Sequence, residues 1–359
     1  MPQSAQLTSE SPWPAPATIP CTVNGVQRLT SNSVLVTLDP GQATPLFRHG
    51  PGQQISVRVA SDDSVCFRTY NLVNECGQMP QIAVKKVAQG GVSALINEHL
   101  DIGDTLEVTP PFGLLYDRRI DHKAHHLLLF AAGSGITPLI SIARHALTAR
   151  PDHRVTLIYA NSTARDIIMH QTLEELAGSK RLEVFHILGD GATGEDLSTG
   201  RLDHAKLQRL LDQFRNPAMP EVAMLSGPAG FMEMVEEVIN RQPLQLPVVT
   251  CSFQEQPYVH PSDRRLGPRF SDLTVTLNGR TARLDAVPRD QTLLEAADAA
   301  GLAMPANCRS GICHRCKAKL IKGSTVQSSR GTIGRPEPHG WILCCRHRPG
   351  SAEVEIEVA

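Results

Sequence analysis

Three cysteines stand within nine residues as Cys-x4-Cys-x2-Cys, at Cys308, Cys313 and Cys316, and two more sit side by side downstream at Cys344 and Cys345. No other stretch constrains the fold as tightly, because the chain must bend until several thiolates converge. The spacing fits a loop that wraps one side of a [2Fe–2S] cluster while a distant cysteine closes the other. Ferric iron and bridging sulfide are stabilised by soft anionic donors, and small residues between the thiols let backbone N–H groups reach the sulfurs. Two other thiol chemistries fit less well. A zinc ribbon asks for two Cys-x2-Cys knuckles and the chain has one. A thioredoxin-like Cys-x-x-Cys opens a helix after a strand and needs no third or fourth cysteine. Spacing alone leaves Cys344 and Cys345 both open as the fourth ligand. Neighbours on an extended strand face opposite ways, so one of the two reaches the metal.

At 359 residues the chain has room for two or three domains with proper cores. A formal net charge of −1 argues against a general nucleic-acid binder, which would be strongly basic. No run of about 18 apolar residues is present, so no membrane span is expected. Residues 1–20 are rich in Pro, Ser and Ala and lack a basic or an apolar leader region, which predicts a disordered tail rather than a signal peptide. Nine cysteines are too few for a disulfide scaffold. Cys21, Cys66, Cys76, Cys251 and one of the adjacent pair are left over, an odd number that fits reduced thiols in the cytoplasm.

Residues 21–118 alternate at period two in short runs such as 33–38, 54–59 and 81–87, with Gly and Pro between them. The pattern predicts an antiparallel β-barrel with one helix near 91–100. Within it, Arg68-Thr69-Tyr70-Asn71 is followed by Gly90-Gly91-Val92-Ser93. A planar guanidinium fork beside a helix start is a workable diphosphate site, although Arg-x-Tyr by itself is common on half-exposed sheets.

From residue 119 to 253 strands and helices alternate. The apolar run Leu127–Ala132 reads as a strand buried on both faces. Further strands at 155–160, 182–188, 222–226 and 248–253, with helices near 139–149, 171–177, 203–214 and 229–240, predict an α/β doubly wound parallel sheet. Gly133-Ser134-Gly135-Ile136-Thr137-Pro138 follows the first strand, where glycines admit a pyrophosphate and Pro suits a first helical turn. Met232 and Met234 read as core packing of their helix. Residues 254–270 form a Pro-containing linker. In residues 271–359, an Asn278-Gly279 hairpin leads to a helix whose Thr292 and Glu295 have capping-box spacing, and Gly301 ends that helix before the cysteine loop.

These motifs resemble a known superfamily. Met304-Pro305-Ala306-Asn307 ahead of the cysteine loop and Gly340–Cys345 after it are similar to plant-type ferredoxins. That resemblance implies a C-terminal α+β (β-grasp) domain whose ligands are Cys308, Cys313, Cys316 and Cys345, with Cys344 the small residue before the last. His314 replaces the family's Gly or Ala, so its side chain must point away from the cluster. The barrel motifs, with Gly103-Asp104 and Pro110-Pro111-Phe112-Gly113, resemble the flavin domain of the ferredoxin–NADP reductase superfamily. The likeness implies Arg68 on the flavin phosphates, Tyr70 packed on the isoalloxazine or ribityl, and Gly91, Val92 and Ser93 around the diphosphate. Asn71 replaces the usual Ser or Thr that hydrogen-bonds the ring, and an amide can still donate there. Leu114-Leu115-Tyr116 stands where relatives have an aromatic against adenine, so FAD is favoured and FMN stays open. Gly133, Gly135, Thr137 and Pro138 resemble the nicotinamide-domain loop, and Ser226-Gly227-Pro228 resembles its Cys-Gly-Pro element. Ser226 would then lie beside the nicotinamide and flavin N5, which makes Ser226 and Tyr70 the implied catalytic residues.

The resemblance is to reductase components of multicomponent oxygenases, the phenylacetyl-CoA epoxidase reductase type among them. It implies a multidomain oxidoreductase passing electrons from NADH or NADPH through flavin and cluster to a transient partner, a terminal oxygenase or another acceptor such as a hybrid-cluster protein. A ferredoxin-like adaptor that no longer turns over nicotinamide is the competing reading. Asn161-Ser162-Thr163 with Arg165 leaves NADH against NADPH open. From Ser271 onward there are 12 Lys and Arg against 9 Asp and Glu, a net of +3. Arg309, Arg315, Lys317, Lys319, Arg346 and Arg348 are expected to surround an exposed cluster edge and steer an acidic partner.

Overall fold

The computed structural model describes residues 18–61, 64–87, 91–112, 116, 125–149, 151–190, 198–213, 220–242, 246–251, 269–277, 279–289, 291–302, 304–306, 315–327 and 340–358, without the side chains of 60, 61, 64–67 and 213. The described residues fall into two compact units, 18–251 and 269–358.

The first unit begins with six strands: β1 (Ile19–Thr30), β2 (Ser33–Asp39), β3 (Gln54–Ser61), β4 (Ser64–Asn71), β5 (Gln81–Lys85) and β6 (Thr105–Val108). They form one antiparallel sheet in the order β4-β3-β6-β1-β2-β5. A bridge between Leu72 and Ile82 joins its two ends and closes the barrel. The alternation in the sequence becomes the inside of that barrel, where Val34, Val36, Leu38, Ile55, Val57, Ile82 and Val84 are buried together. Each such side chain contributes about 1.5–3 kcal/mol by leaving water. α1 (Val92–Glu98) adds Val92 and Ile96 to the same core. β1 starts at Ile19, so the strand takes in the last two residues of the stretch expected as tail, and Pro20 stands where β1 pairs with β6 alone.

The chain then lays down β7 (His126–Ala132), β8 (Arg154–Asn161), β9 (Leu182–Leu188), β10 (Val222–Ser226) and β11 (Val248–Cys251), all parallel, in the order β11-β10-β7-β8-β9. The intervening helices are α2 (Ile136–Ala149), α3 (His170–Ala177), α4 (His204–Gln213) and α5 (Ala229–Arg241). β7 is central, and Leu127 to Ala131 are buried throughout, as a strand covered on both faces must be. α2 begins three residues earlier than its sequence pattern predicts, because Pro138 fits its first turn. The chain builds outward on one side of β7 and then crosses to β10 on the other. The order reverses there, and such a reversal opens a crevice at the carboxyl ends of the two strands.

The second unit holds β12 (Phe270–Leu277), β13 (Arg280–Pro288), α6 (Leu293–Ala299), β14 (Lys317–Lys322), β15 (Thr325–Gln327), β16 (Trp341–Leu343), β17 (His347–Pro349) and β18 (Glu353–Val358). Its main sheet runs β13-β12-β18-β14-β16, with β12 and β18 parallel and the other pairs antiparallel. α6 buries Leu293, Leu294, Ala296 and Ala297 against Leu273, Val275, Ile356 and Val358 of the sheet. Thr292 and Glu295 close the capping box that their spacing predicts. No helix among the described residues is long and apolar enough to cross a membrane.

Candidate cofactor and cluster sites

β4 pairs with β3 so that Arg68 stands opposite Val57, Tyr70 opposite Ile55 and Asn71 opposite Gln54. Arg68 is exposed, and Tyr70 is half-buried against the barrel core. Asn71 is 2% exposed, its Nδ2 donates to the Gly52 carbonyl at 3.3 Å, and its Oδ1 is buried with no partner among the described residues. Gln54, its cross-strand neighbour, has Nε2 in the same condition. One free acceptor and one free donor therefore lie side by side, where a heterocycle with both kinds of edge atom would satisfy them. Gly91 takes a φ of 75° immediately before α1, with open space where a side chain would stand. Ser93 is buried and its hydroxyl accepts from the Val87 N–H at 3.1 Å, which pins the start of α1 to the end of β5. Gly90 and Gly113 lie outside the described residues. The orphaned amide atoms and the open Gly91 turn fit a flavin.

At the crevice, Gly133 has a φ of 53° and Gly135 is the tightest point. A Cβ on Gly135 would lie 2.0 Å from the carbonyl oxygen of Ser226, and one on Gly227 would lie 2.9 Å from Cβ of Ala132. The two glycine elements are thus packed backbone to backbone. Thr137 Oγ1 donates to the Ser134 carbonyl at 3.0 Å and Pro138 is buried in the first turn of α2. Tyr159 supports the loop from β8, its hydroxyl donating to Gly133 at 3.0 Å, and burial pushes that hydroxyl's pKa up. Ser226 is 0% exposed and its Oγ donates to the Cys251 carbonyl at 3.1 Å. That hydroxyl therefore ties β10 to β11 at the floor of the crevice, while Pro228 is exposed.

Gly52 connects the barrel to the crevice. Its N–H donates to Ser141 Oγ at 2.9 Å, and Ser141 donates on to the Pro138 carbonyl at 3.1 Å. Lys85, the last residue of β5, brings Nζ to the Gly133 turn. Gly52, Gln54, Lys85, Ser141 and Tyr159 are not singled out by any sequence motif. Gln54 carries a readable signal, as a polar residue at a position the strand buries.

In the second unit Cys316, Cys344 and Cys345 are all buried. The Cys344 N–H donates to the Cys316 carbonyl at 2.9 Å, and the Cys345 N–H points at Cys316 Sγ at 3.4 Å. An N–H aimed at sulfur is what a cluster-bearing thiolate requires. β16 ends at Leu343, so Cys344 and Cys345 stand in a turn rather than on opposite faces of a strand. Burial, then the neighbouring Cys316, raises the Cys344 thiol well above its usual range and keeps it protonated. Cys308 and Cys313, with Arg309 and His314, lie outside the described residues. The described donors fit an iron–sulfur cluster.

The basic rim expected around the cluster is smaller than the sequence suggests. Arg346 is 4% and Arg348 is 1% exposed, so both belong to the interior of the unit. Arg348 lies on β17 and Arg346 in the turn just before it, and charge counting does not register that both are buried. Arg315 and Lys319 are exposed, and Lys317 Nζ sits 4.8 Å over the Trp341 ring.

Family models match three segments in order: an oxidoreductase FAD-binding domain over residues 20–116, an oxidoreductase NAD-binding domain over 129–237, and a 2Fe-2S iron-sulfur cluster binding domain over 275–350. The chain is 29% identical over 346 residues to one of the subunits of 1,2-phenylacetyl-CoA epoxidase from Escherichia coli (strain K12), covering 94% of this chain and 96% of that one. It is 31% identical over 357 residues to the 3-ketosteroid-9-alpha-monooxygenase ferredoxin reductase component of Rhodococcus rhodochrous, covering 94% and 95%. The crystal structure of phthalate dioxygenase reductase shares the fold, with a TM-score of 0.56 and 24% identity over 95% of this chain and 98% of that one. The chain belongs to the ferredoxin–NADP reductase superfamily, among the iron–sulfur flavoprotein oxidoreductases that carry FAD-binding, NAD-binding and [2Fe–2S] domains on one polypeptide.

Proposed function

We propose that this protein is the reductase component of a multicomponent oxygenase, drawing electrons from NADH or NADPH and delivering them to the oxygenase protein. The observation that carries this reading is the Gly52–Ser141 link, which joins the turn before β3, to which Asn71 of the candidate flavin strand bonds, to the helix leaving the candidate nucleotide loop within one compact unit. Two redox groups that exchange a hydride must meet at such a place. The named relatives, a monooxygenase reductase component and part of an epoxidase, support an oxygenase as the partner.

When bound, FAD accepts a hydride and releases electrons singly, and the cluster carries them one at a time. The chain's own residues bind and orient these groups. Arg68 offers a planar fork to the flavin diphosphate, and Gly91, Val92 and Ser93 present backbone to it. Tyr70 packs against the flavin. Gly133 and Gly135 admit the dinucleotide backbone, with Thr137 and Pro138 holding the first turn of α2. Ser226, Gly227 and Pro228 form the opposite wall of the crevice, and the buried Ser226 fixes that wall to β11. Cys308, Cys313, Cys316 and Cys345 hold the cluster. The flavin barrel runs from Ile19, where β1 begins, to residue 118, the nucleotide domain covers 119–253 and the ferredoxin domain 271–359, with 254–270 as the linker. No proton-transferring side chain is required, because hydride and electron transfer leave bond-making to the cofactors.

Anaerobic addition of NADH, and separately NADPH, to the purified holoprotein tests this directly. The flavin and cluster absorption bands should both bleach, and reduced protein should then support turnover by a cognate oxygenase component. Bleaching of neither band would leave a ferredoxin-like adaptor as the better description.

A further inference from the structure

His125 and His153 stand immediately before β7 and β8, at the edge of the parallel sheet away from the crevice. β7 spans seven residues, so about 20 Å of strand separates this edge from the glycine loop. The backbone here is held by its neighbours. The Arg154 N–H donates to the His125 carbonyl at 2.7 Å, and the His153 carbonyl accepts from Arg181 Nη1 at 3.5 Å. The His125 N–H, and the His126 N–H at 3.2 Å, donate to the Glu221 carboxylate just before β10.

Three side chains converge on this edge. His153 is 0% exposed, whereas His125 and Asp152 are exposed. The two imidazoles meet edge to face, with centroids 5.9 Å apart and planes at 84°. His125 Nδ1 lies 2.9 Å from Asp152 Oδ2. One donor atom from each of the three residues lies within 4.8 Å of the other two. An exposed imidazole–carboxylate pair by itself is weak, because water competes for both partners. Here such a pair stands over a buried imidazole, and the three share one small volume. Ligands at 2.0–2.2 Å around a tetrahedral ion stand about 3.4 Å apart. The exposed side chains of His125 and Asp152 can rotate to close the difference, while buried His153 stays in place. Two nitrogens and one oxygen suit zinc, cobalt or nickel, whereas calcium and magnesium take oxygen ligands. Three protein ligands leave one position for water.

We propose that His125, Asp152 and His153 form a binding site for one divalent transition-metal ion of the zinc type, which clamps the start of β7 to the turn entering β8. Both imidazoles coordinate as neutral ligands. The site lies outside the cofactor machinery, so its occupancy tightens this edge of the sheet and leaves flavin reduction by NAD(P)H unchanged.

The test is calorimetric titration with zinc chloride of tag-free holoprotein, flavin and cluster in place, after passage over a chelating resin. Asp152→Asn and His125→Ala are titrated beside it. Both substitutions fall at exposed positions, and flavin and cluster absorbance confirm that each variant is folded. The natural protein should bind one equivalent tightly, and each variant should bind it at least about tenfold more weakly. Cysteines elsewhere in the chain also take zinc, so zinc-edge X-ray absorption of the loaded natural protein identifies the shell. Nitrogen and oxygen at about 2.0–2.2 Å without sulfur is the expected result. Sulfur in that shell, equal affinity in all three proteins, or no zinc bound at micromolar concentration overturns the proposal. The last outcome would leave an exposed ion pair beside a core imidazole. Hydrogen exchange of the His126 and Arg154 amides should slow several-fold on loading, and rates unchanged by zinc would remove the clamp.

Discussion

A side chain on Gly135 has nowhere to go: its Cβ would sit 2.0 Å from the carbonyl oxygen of Ser226. This glycine is therefore required by packing between two strand ends, separately from any role in admitting a pyrophosphate. Gly135→Ala should destabilise the first unit by about 3 kcal/mol or more, because backbone cannot yield as a side chain would. Gly230 is the internal comparison, since it is helical with nothing within 4 Å of a Cβ. Gly230→Ala should hold or gain up to about 1 kcal/mol. Thermal unfolding followed by flavin fluorescence measures both, and equal midpoints for the two variants would contradict the packing argument.

Cys345→Ser should lose or weaken the cluster, whereas Cys344→Ser should keep its visible spectrum. This expectation rests on the likeness of Gly340–Cys345 to plant-type ferredoxins, and the Cys345 N–H directed at Cys316 Sγ supports it. Iron content and absorbance of the two variants decide the matter, and the reverse pattern would move the ligand one residue back.

Arg68→Ala should be purified largely without flavin while retaining its iron. Loss of a charge-assisted bond to phosphate costs about 1.5–3 kcal/mol, a tenfold to hundredfold weaker hold. Full flavin occupancy in that variant would remove Arg68 from the diphosphate site.

Acid should weaken the first unit in part through His186. Burial, followed by the neighbouring His170, lowers its pKa, so the folded state keeps it neutral. The unfolded chain protonates it near its ordinary value of about 6.5. Its contribution is therefore complete above that value and is lost as pH falls from there toward the lowered folded pKa. The urea midpoint should drop more steeply below about pH 6.5 in the natural protein than in His186→Asn. Parallel pH profiles would exclude His186 as a source.

Raising salt should slow electron delivery to the partner several-fold while flavin reduction by NAD(P)H changes much less, because exposed charges are screened over about 10 Å at 0.1 M salt and less at higher salt. Among the described residues of the basic rim Arg315 and Lys319 are exposed, so Arg315→Glu should slow delivery without loss of cluster absorbance. Stopped-flow rates that stay flat across salt would show that docking does not depend on this charge.

Period-two alternation with glycine and proline marks is enough to foresee the barrel, and the strand–helix alternation with the apolar run Leu127–Ala132 foresees the parallel sheet and its central strand. Thr292 and Glu295 announce their helix because a capping box is a local device. The late strands of the second unit are eclipsed by the cysteine motif, although Glu353-Val354-Glu355-Ile356-Glu357-Val358 alternates plainly. Arg346 and Arg348 mislead because charge is visible in a sequence and direction is not. The bonds that matter most at the crevice are illegible for a further reason. Gly52 and Ser141 are 89 residues apart and meet only because a barrel and a parallel sheet bring them together.

The link between Gly52 and Ser141 is written half in backbone and half in side chain. At position 52 every residue but proline would carry the donating N–H, although a φ of 73° restrains the choice further. At position 141 only a short hydroxyl supplies an acceptor of that reach and donates onward to Pro138. Drift over generations can therefore rewrite one end almost freely of chemistry while the other is confined to Ser or Thr. A pairwise comparison that weighs both positions alike would see no coupling, even in descendants that all retain it.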